Sequence, residues 1–301
     1  MKKVLSVLGI AVLGLVLVAC GGTKDAGIKA YTRDTTSGTR GAFFDIIELS
    51  DFGGSNEGLV EGYVQVESNG AMMSSVKNDV NGIGYISLSG LDGSGLKGLS
   101  FNGVEATEAN VLNDTYALKR PFMYVRKAEA DITDEDEKAF VDAFLAFMTT
   151  KEGKQVIMNA DGIAEGLNTA PSWATVKADH PIVDTTGADV EIHFGGSTSV
   201  EKVGRALSEA FSSFSPRFKP VHNHTGSGAG YTGTRADGPL HIGFASRELK
   251  ESEKVAGEFG RLAWDAVVIV VNNENEVTNI TTKQIQDIYN GAVTNWSEIL
   301  S

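Results

Sequence analysis

The chain has 301 residues, with 26 Lys and Arg against 39 Asp and Glu, for a net charge of −13. So acidic a surface excludes nucleic acid as a partner, because that needs a basic footprint, and it gives an anion no long-range attraction. Cys20 is the sole cysteine, which excludes an internal disulfide and a Cys-ligated metal site.

Residues 1–20 open on Lys2 and Lys3, run through an almost wholly apolar stretch from Val4 to Ala19, and end in Leu17-Val18-Ala19-Cys20. The apolar stretch is short for a membrane span. The segment is similar to a bacterial lipoprotein signal. That implies cleavage before Cys20, lipid on Cys20, and a domain held at the outer, extracytoplasmic face of the cell membrane. An uncleaved N-terminal anchor is the alternative. Residues 21–27 read as a tether.

Ile28 to Tyr31 is expected as a short strand that delivers Arg33. Gly41 to Leu49 reads as a helix, and Met72 to Val80 as another. Gly82 to Ile86 is expected as a strand. Lys97 to Val104 reads as strand–turn–strand, with Asn102-Gly103 as the turn. Pro121 to Val125 is a short extended run. Thr133 is expected to cap a helix with Asp134, Glu135, Asp136 and Glu137 in its first turn and Phe140, Phe144, Leu145 and Met148 at helical spacing. Gly153 to Ala160 is a further helix, and residues 161–190 read as loop. Glu191–Phe194, Lys219–Asn223, His241–Ala245 and Trp264–Val271 read as strands, and Val200–Phe211 as a helix. Thr281 caps a last helix that Asn290-Gly291 ends. Strands alternating with helices argue for an α/β fold with mostly parallel sheets.

Three Ser/Thr/Gly clusters each precede a helix: Ser37-Gly38-Thr39-Arg40, Gly196-Ser197-Thr198-Ser199 and Thr225 to Gly230. Helix starts carry free N–H groups and the positive end of the macrodipole, so hydroxyls and glycines there can surround an oxyanion. Such clusters also serve as plain helix caps. Three of them, with Arg33 nearby, point to a small tetrahedral oxyanion held by dense hydrogen bonding. Local donors can hold it despite the acidic surface, since exposed charge is screened over about 8–10 Å at physiological salt. His222 and His224 alternate on a strand, but no third ligand accompanies them, so no metal site is expected. No Gly-x-Ser-x-Gly elbow, triad or phosphate loop is present, so no catalytic residue and no cofactor are expected.

These segments resemble the PstS-type phosphate-binding subunit of bacterial phosphate ABC importers. The resemblance rests on Arg33 to Arg40, Gly196 to Val200, Thr225 to Gly230, Ile242 to Leu249, Asp265 to Asn272 and Asn290 to Trp296. It implies a two-lobed periplasmic-binding-protein-like fold of type II with ligand in the cleft. In that family the Gly-Ser-Thr-Ser segment comes first and the Arg segment follows Asn-Trp, so the order here implies a circular permutation, with the usual ends joined through about residues 170–192. The implied layout is a discontinuous lobe of residues 24–121 plus 270–301 and a continuous lobe of residues 127–264, with crossings at about 122–126 and 265–269.

The resemblance implies phosphate contacts at Arg33, Ser37, Gly38 and Thr39, and more loosely at Ser197, Thr198, Ser199, Ser227, Gly228 and Ser246. Asp34, Arg40, Arg247 and Asp265 are secondary candidates. Many family members carry an aspartate where Arg247 stands, and that carboxylate accepts the ligand's proton. Here Arg247 adds a donor or turns away to leave Ser246 facing the ligand, and Asp34 or Asp265 could supply the acceptor. The implied function is capture of inorganic phosphate for an ABC permease. The alternatives are a receptor for sulfate, molybdate or arsenate, a phosphate-ester enzyme, and an adhesion or signalling protein with a vestigial site.

Overall fold

The structure is a computed structural model that describes residues 27–300. The expected signal, Cys20 and most of the tether lie outside the described residues. Among the described residues no helix is long and apolar enough to cross a membrane.

Eleven strands are described: β1 (Lys29–Arg33), β2 (Val64–Val66), β3 (Gly82–Ser87), β4 (Leu96–Gly98), β5 (Ser100–Phe101), β6 (Lys119–Arg126), β7 (Val190–Gly196), β8 (Phe218–Asn223), β9 (Ile242–Ala245), β10 (Phe259–Asn272) and β11 (Asn279–Ile280). The helices are α1 (Gly38–Ile46), α2 (Asp51–Gly54), α3 (Asn69–Lys77), α4 (Glu108–Leu112), α5 (Glu135–Met148), α6 (Lys151–Asn159), α7 (Trp173–Val176), α8 (Glu201–Ser212), α9 (Ser227–Gly233) and α10 (Thr282–Asn290).

The main sheet runs β2-β1-β3-β10-β6-β9-β7-β8, with β4 also on β10. Its two ends are parallel: β1 with β2 and β3, and β7 with β8 and β9. Its centre is antiparallel, through β10 with β3, β4 and β6, and β6 with β9. The expectation of mostly parallel sheets is thus corrected to a mixed sheet. The reason lies in β10, a 14-residue strand whose first part pairs with β6 and whose last part pairs with β3. The changeover falls between Ala266, opposite Lys119, and Val267, opposite Ser87.

Two large apolar centres flank this changeover. One gathers Phe140, Phe144, Phe147, Phe194, Phe211 and Phe218 between α5, α8 and the β7–β8 end. The other gathers Phe43, Phe44, Tyr85, Ile269, Tyr289 and Trp296, so it draws on both ends of the described chain. Phe43 stacks on Tyr85 at 4.2 Å between ring centres, and the Tyr289 hydroxyl donates to the Tyr31 carbonyl at 2.7 Å. Aromatic pairs of this kind add to the stabilisation from area burial alone.

Local signals explain most elements. Thr281 and Gln284 form a capping box on α10, and Gly291 ends it at φ 82°, a left-handed position that glycine adopts without strain. The cap of α5 is Asp134 rather than the expected Thr133, because its carboxylate accepts from the N–H groups of Asp136 and Glu137. The expected Asn102-Gly103 turn is present: Phe101 and Val104 exchange backbone hydrogen bonds at 2.8 and 3.0 Å, with Asn102 at φ 51° and Gly103 at φ 82°. The strand before the turn is split, β4 pairing with β10 and β5 with β11.

Candidate functional site

β1 enters from one apolar centre and ends at Arg33, and α1 begins five residues later at Gly38. β7 enters from the other centre and ends at Gly196, immediately before Ser197. The carboxyl ends of strands are where open α/β sheets place ligands. Here they bring five hydroxyls from distant segments together: Thr39, Ser197, Ser199, Ser227 and Ser246, each at most 2% exposed.

Ser246 is the centre of this cluster. Ser197 Oγ donates to its hydroxyl at 2.9 Å, and Thr39 Oγ1 and Ser227 Oγ each lie 3.4 Å from it. The Ser246 N–H donates to Ser227 Oγ at 3.1 Å. Thr39 Oγ1 and Ser199 Oγ are 2.8 Å apart, across segments that belong to different apolar centres. Gly38 allows the close approach. A Cβ there would lie 2.1 Å from Ser227 Oγ and 2.7 Å from Ser227 Cβ. Gly196, at φ 105°, makes the turn out of β7, where a Cβ would lie 2.3 Å from the Phe244 carbonyl oxygen.

Other expected residues fall around this centre. Ser37 Oγ caps α1 by accepting from the Arg40 N–H at 3.3 Å. Ser37 and Gly228 line an adjoining cleft of about 630 Å³, together with Arg120 and Arg247. Thr198 turns aside, its hydroxyl accepting from the Asn69 N–H at 3.2 Å.

The charges sort themselves sharply. Arg33, Arg40 and Arg120 are each at most 2% exposed, and Asp265 is the one Asp so deeply buried among the described residues. Arg40, one of the secondary candidates, is tied to the backbone. It donates to the carbonyls of Phe52 at 2.7 Å, Arg33 at 2.6 Å and Ser55 at 2.6 Å, so it ties α2 and its C-terminal end to the end of β1. Arg33 donates to the Glu67 carbonyl at 3.0 Å and lies 3.8 Å from Asp34, while its Nε is buried with no hydrogen-bond partner. Burial pulls the Arg33 pKa below its ordinary value, Arg120 adds to that, and Asp34 partly offsets it. Arginine nevertheless stays protonated. A buried cation without a full counter-charge is costly, so this pattern favours a bound anion.

The acids are all engaged. Asp34 accepts from the Thr36 N–H at 2.9 Å and from its hydroxyl, which shapes the turn before α1. Asp265 does not face the hydroxyls as an open acceptor. Its carboxylate takes Arg120 Nε at 2.8 Å and Ser87 Oγ at 2.8 Å. Arg247 turns away, gripping Glu253 through Nη1 at 2.7 Å and Nη2 at 2.8 Å, and Ser246 is left facing the cluster. Among the described residues no carboxylate is hydrogen-bonded to the five hydroxyls.

Arg120 was missed in the sequence, and so were Ser87, Ser89 and Asn69. A signal did exist: Arg120, after Lys119, and Asp265 are opposite charges at the heads of two apolar runs. His222 and His224 hydrogen-bond each other at 3.1 Å, and no group of three metal-ligating side chains occurs among the described residues.

A PBP superfamily domain matches residues 175–301. The phosphate-binding protein PstS 2 of Streptococcus pneumoniae serotype 4 (strain TIGR4) is 29% identical over 307 aligned residues, covering 99% of each chain. The crystal structure of a phosphate-binding protein of a phosphate ABC transporter, also from S. pneumoniae TIGR4, superposes with a TM-score of 0.65 at 28% identity, covering 91% of this chain and 99% of that one. PstS of Staphylococcus epidermidis is 31% identical over 115 residues, 35% of each chain. The pneumococcal pairing runs end to end in one order, so against that relative no permuted order is seen. The chain is thus similar over its full length to phosphate-binding proteins of the PstS type, and residues 175–301 match a PBP superfamily domain.

Proposed function

We propose that this protein captures inorganic phosphate and hands it to an ABC importer permease, as a substrate-binding protein rather than an enzyme. One observation carries the reading: five buried hydroxyls from distant segments converge around Ser246, and Arg33, at the end of β1 and four residues before Ser37, keeps a buried Nε with no partner. A tetrahedral oxyanion offers acceptors to all of them and counter-charge to the buried guanidiniums. The names of the full-length pneumococcal relatives support phosphate as that oxyanion.

Arg33, Gly38, Thr39, Ser197, Ser199, Ser227 and Ser246 form the binding set, with Ser37 and Gly228 at the cleft mouth. The lobes are residues 24–121 plus 270–301 and residues 127–264, and they close on phosphate by a hinge at β6 and β10. Cys20 carries lipid and holds the protein on the extracytoplasmic face of the membrane. The permuted segment order is a proposal with respect to relatives such as the staphylococcal one, which pairs over 35% of each chain.

A second reading has an observation of its own. With Arg247 held by Glu253 and no carboxylate on the hydroxyl cluster, nothing in the cluster requires a ligand proton. A fully ionised oxyanion such as sulfate therefore fits as well. A buried acceptor facing a ligand without its proton is what gives strong discrimination elsewhere. Calorimetric titration of the full chain with phosphate, then with sulfate as competitor, tests both readings. Saturable 1:1 phosphate binding that sulfate leaves intact supports the first reading. Equal competition by sulfate moves the function to oxyanions in general, and no heat with either anion removes the proposal.

A further inference from the structure

A polar ring runs from the hydroxyl cluster through both crossing strands and back. Arg120, on β6, donates from Nη1 to the Ser246 carbonyl at 3.1 Å. Its Nε and Nη2 each lie 2.8 Å from one carboxylate oxygen of Asp265, which sits directly opposite on β10. The other oxygen accepts from Ser87 Oγ at 2.8 Å and from the Ser89 N–H at 3.4 Å. The Ser87 N–H donates to Asn69 Oδ1 at 3.1 Å, and the Asn69 N–H donates to Thr198 Oγ1 at 3.2 Å. Thr198 follows Ser197, whose hydroxyl reaches Ser246 again.

We infer that Arg120 and Asp265 are a positioning pair, which holds Ser246 in the anion cluster and couples that cluster to the two strands joining the halves of the fold. The inference rests on the phosphate-binding reading above. The geometry suits the role. The guanidinium fork spans a carboxylate and a carbonyl at once, which a flexible ammonium cannot reproduce. The pair is buried at the changeover of β10 from β6 to β3, where a change in the angle between the halves must be absorbed. A reporter stands beside it: Trp264 precedes Asp265, with Lys119 Nζ 4.1 Å and the Arg261 guanidinium 4.2 Å from its ring centre.

Arg120→Lys keeps the charge and removes the fork. Calorimetry on the full chain should show phosphate affinity falling about tenfold, as expected for a lost hydrogen bond to a charged group. The phosphate-induced change in Trp264 fluorescence should shrink with it. Because Arg120 acts through Ser246, the substitution should cost almost nothing in a Ser246→Ala background, a coupling that general destabilisation does not produce. Ser87→Ala, a milder change on the far side of Asp265, should lower affinity in the same direction by a smaller factor, and it serves if Arg120→Lys fails to fold. Unchanged affinity in Arg120→Lys, or in Ser87→Ala where that is the variant that folds, overturns the positioning role alone, as does a loss equally large with and without the Ser246 hydroxyl. An unmodified chain that binds no phosphate overturns the reading on which the inference rests.

Discussion

Two corners of the fold look alike in sequence and are built in opposite ways. Each joins small hydroxyl residues to an arginine: Arg33 with Ser37 and Thr39, and Arg247 with Ser246. At the first, the guanidinium is buried, its Nε has no partner, and the nearest carboxylate is 3.8 Å away. At the second, Glu253 takes both Nη atoms of Arg247 in a bidentate grip, and the guanidinium faces away from the hydroxyl. The difference teaches that adjacency to a serine does not make an arginine a ligand group. What decides is whether the fold leaves its charge only partly compensated, because a buried cation short of counter-charge gains most from an incoming anion.

The largest expected effect tests that contrast directly. Arg33→Met should weaken phosphate binding by about 100-fold or more, in line with the 2–5 kcal/mol typical of removing one partner of a buried charge pair. Arg247→Met should change it by less than about threefold, since it removes a group already satisfied by Glu253. Calorimetric titration of both variants checks this, and similar losses in the two would break the comparison. The next effect is steric. Gly38→Ala places a methyl 2.1 Å from Ser227 Oγ, so the segments must part. Overpacking of this kind costs about 1–3 kcal/mol, which predicts a loss of affinity of about tenfold. Calorimetric titration checks this, and a Gly38→Ala chain that binds phosphate as tightly as the unmodified one would break the close-approach argument.

The fold and the hydroxyls were largely legible, and the pairing of charges was not. Thr281, Gln284 and Gly291 announce α10 because caps are local chemistry. Thr39, Ser197, Ser199 and Ser227 sit in the three Ser/Thr/Gly clusters at strand-to-helix junctions, whereas Ser246 is marked only by the family resemblance. Thr198, in the same tripeptide, turned out to serve the Asn69 N–H, because one rotation of the turn sends neighbouring side chains to different sides. Arg40, Arg120 and Arg247 could not be sorted. Arg120 meets Asp265 across 145 residues of chain, and Arg40 meets three carbonyls that no pattern marks. The mixed sheet was hidden for the same reason, because strand direction depends on where β10 turns from one partner to the next.

The smallest effect sharpens the contrast through pH. Burial raises the Glu253 pKa, but the Arg247 guanidinium and the Lys250 N–H outweigh it and hold the group below its ordinary 4.5. A carboxylate depressed in the folded state binds fewer protons than in the unfolded chain, so stability rises with pH across that interval. The contribution is complete above about pH 5 and is lost as pH falls through 4.5 toward the lower folded value. Thermal melts of the full chain from pH 6 to pH 3 should therefore show a component that vanishes in Glu253→Gln. That variant should melt several degrees lower at pH 6, for a loss of about 2 kcal/mol from a hydrogen-bonded charge. Its phosphate affinity at pH 6 should stay within about twofold of the unmodified chain, because the released Arg247 lies outside the hydroxyl cluster. A large gain in affinity in Glu253→Gln would mean instead that Arg247 swings in as a second anion donor once freed, and the two corners would then differ by one ion pair rather than by design of the backbone.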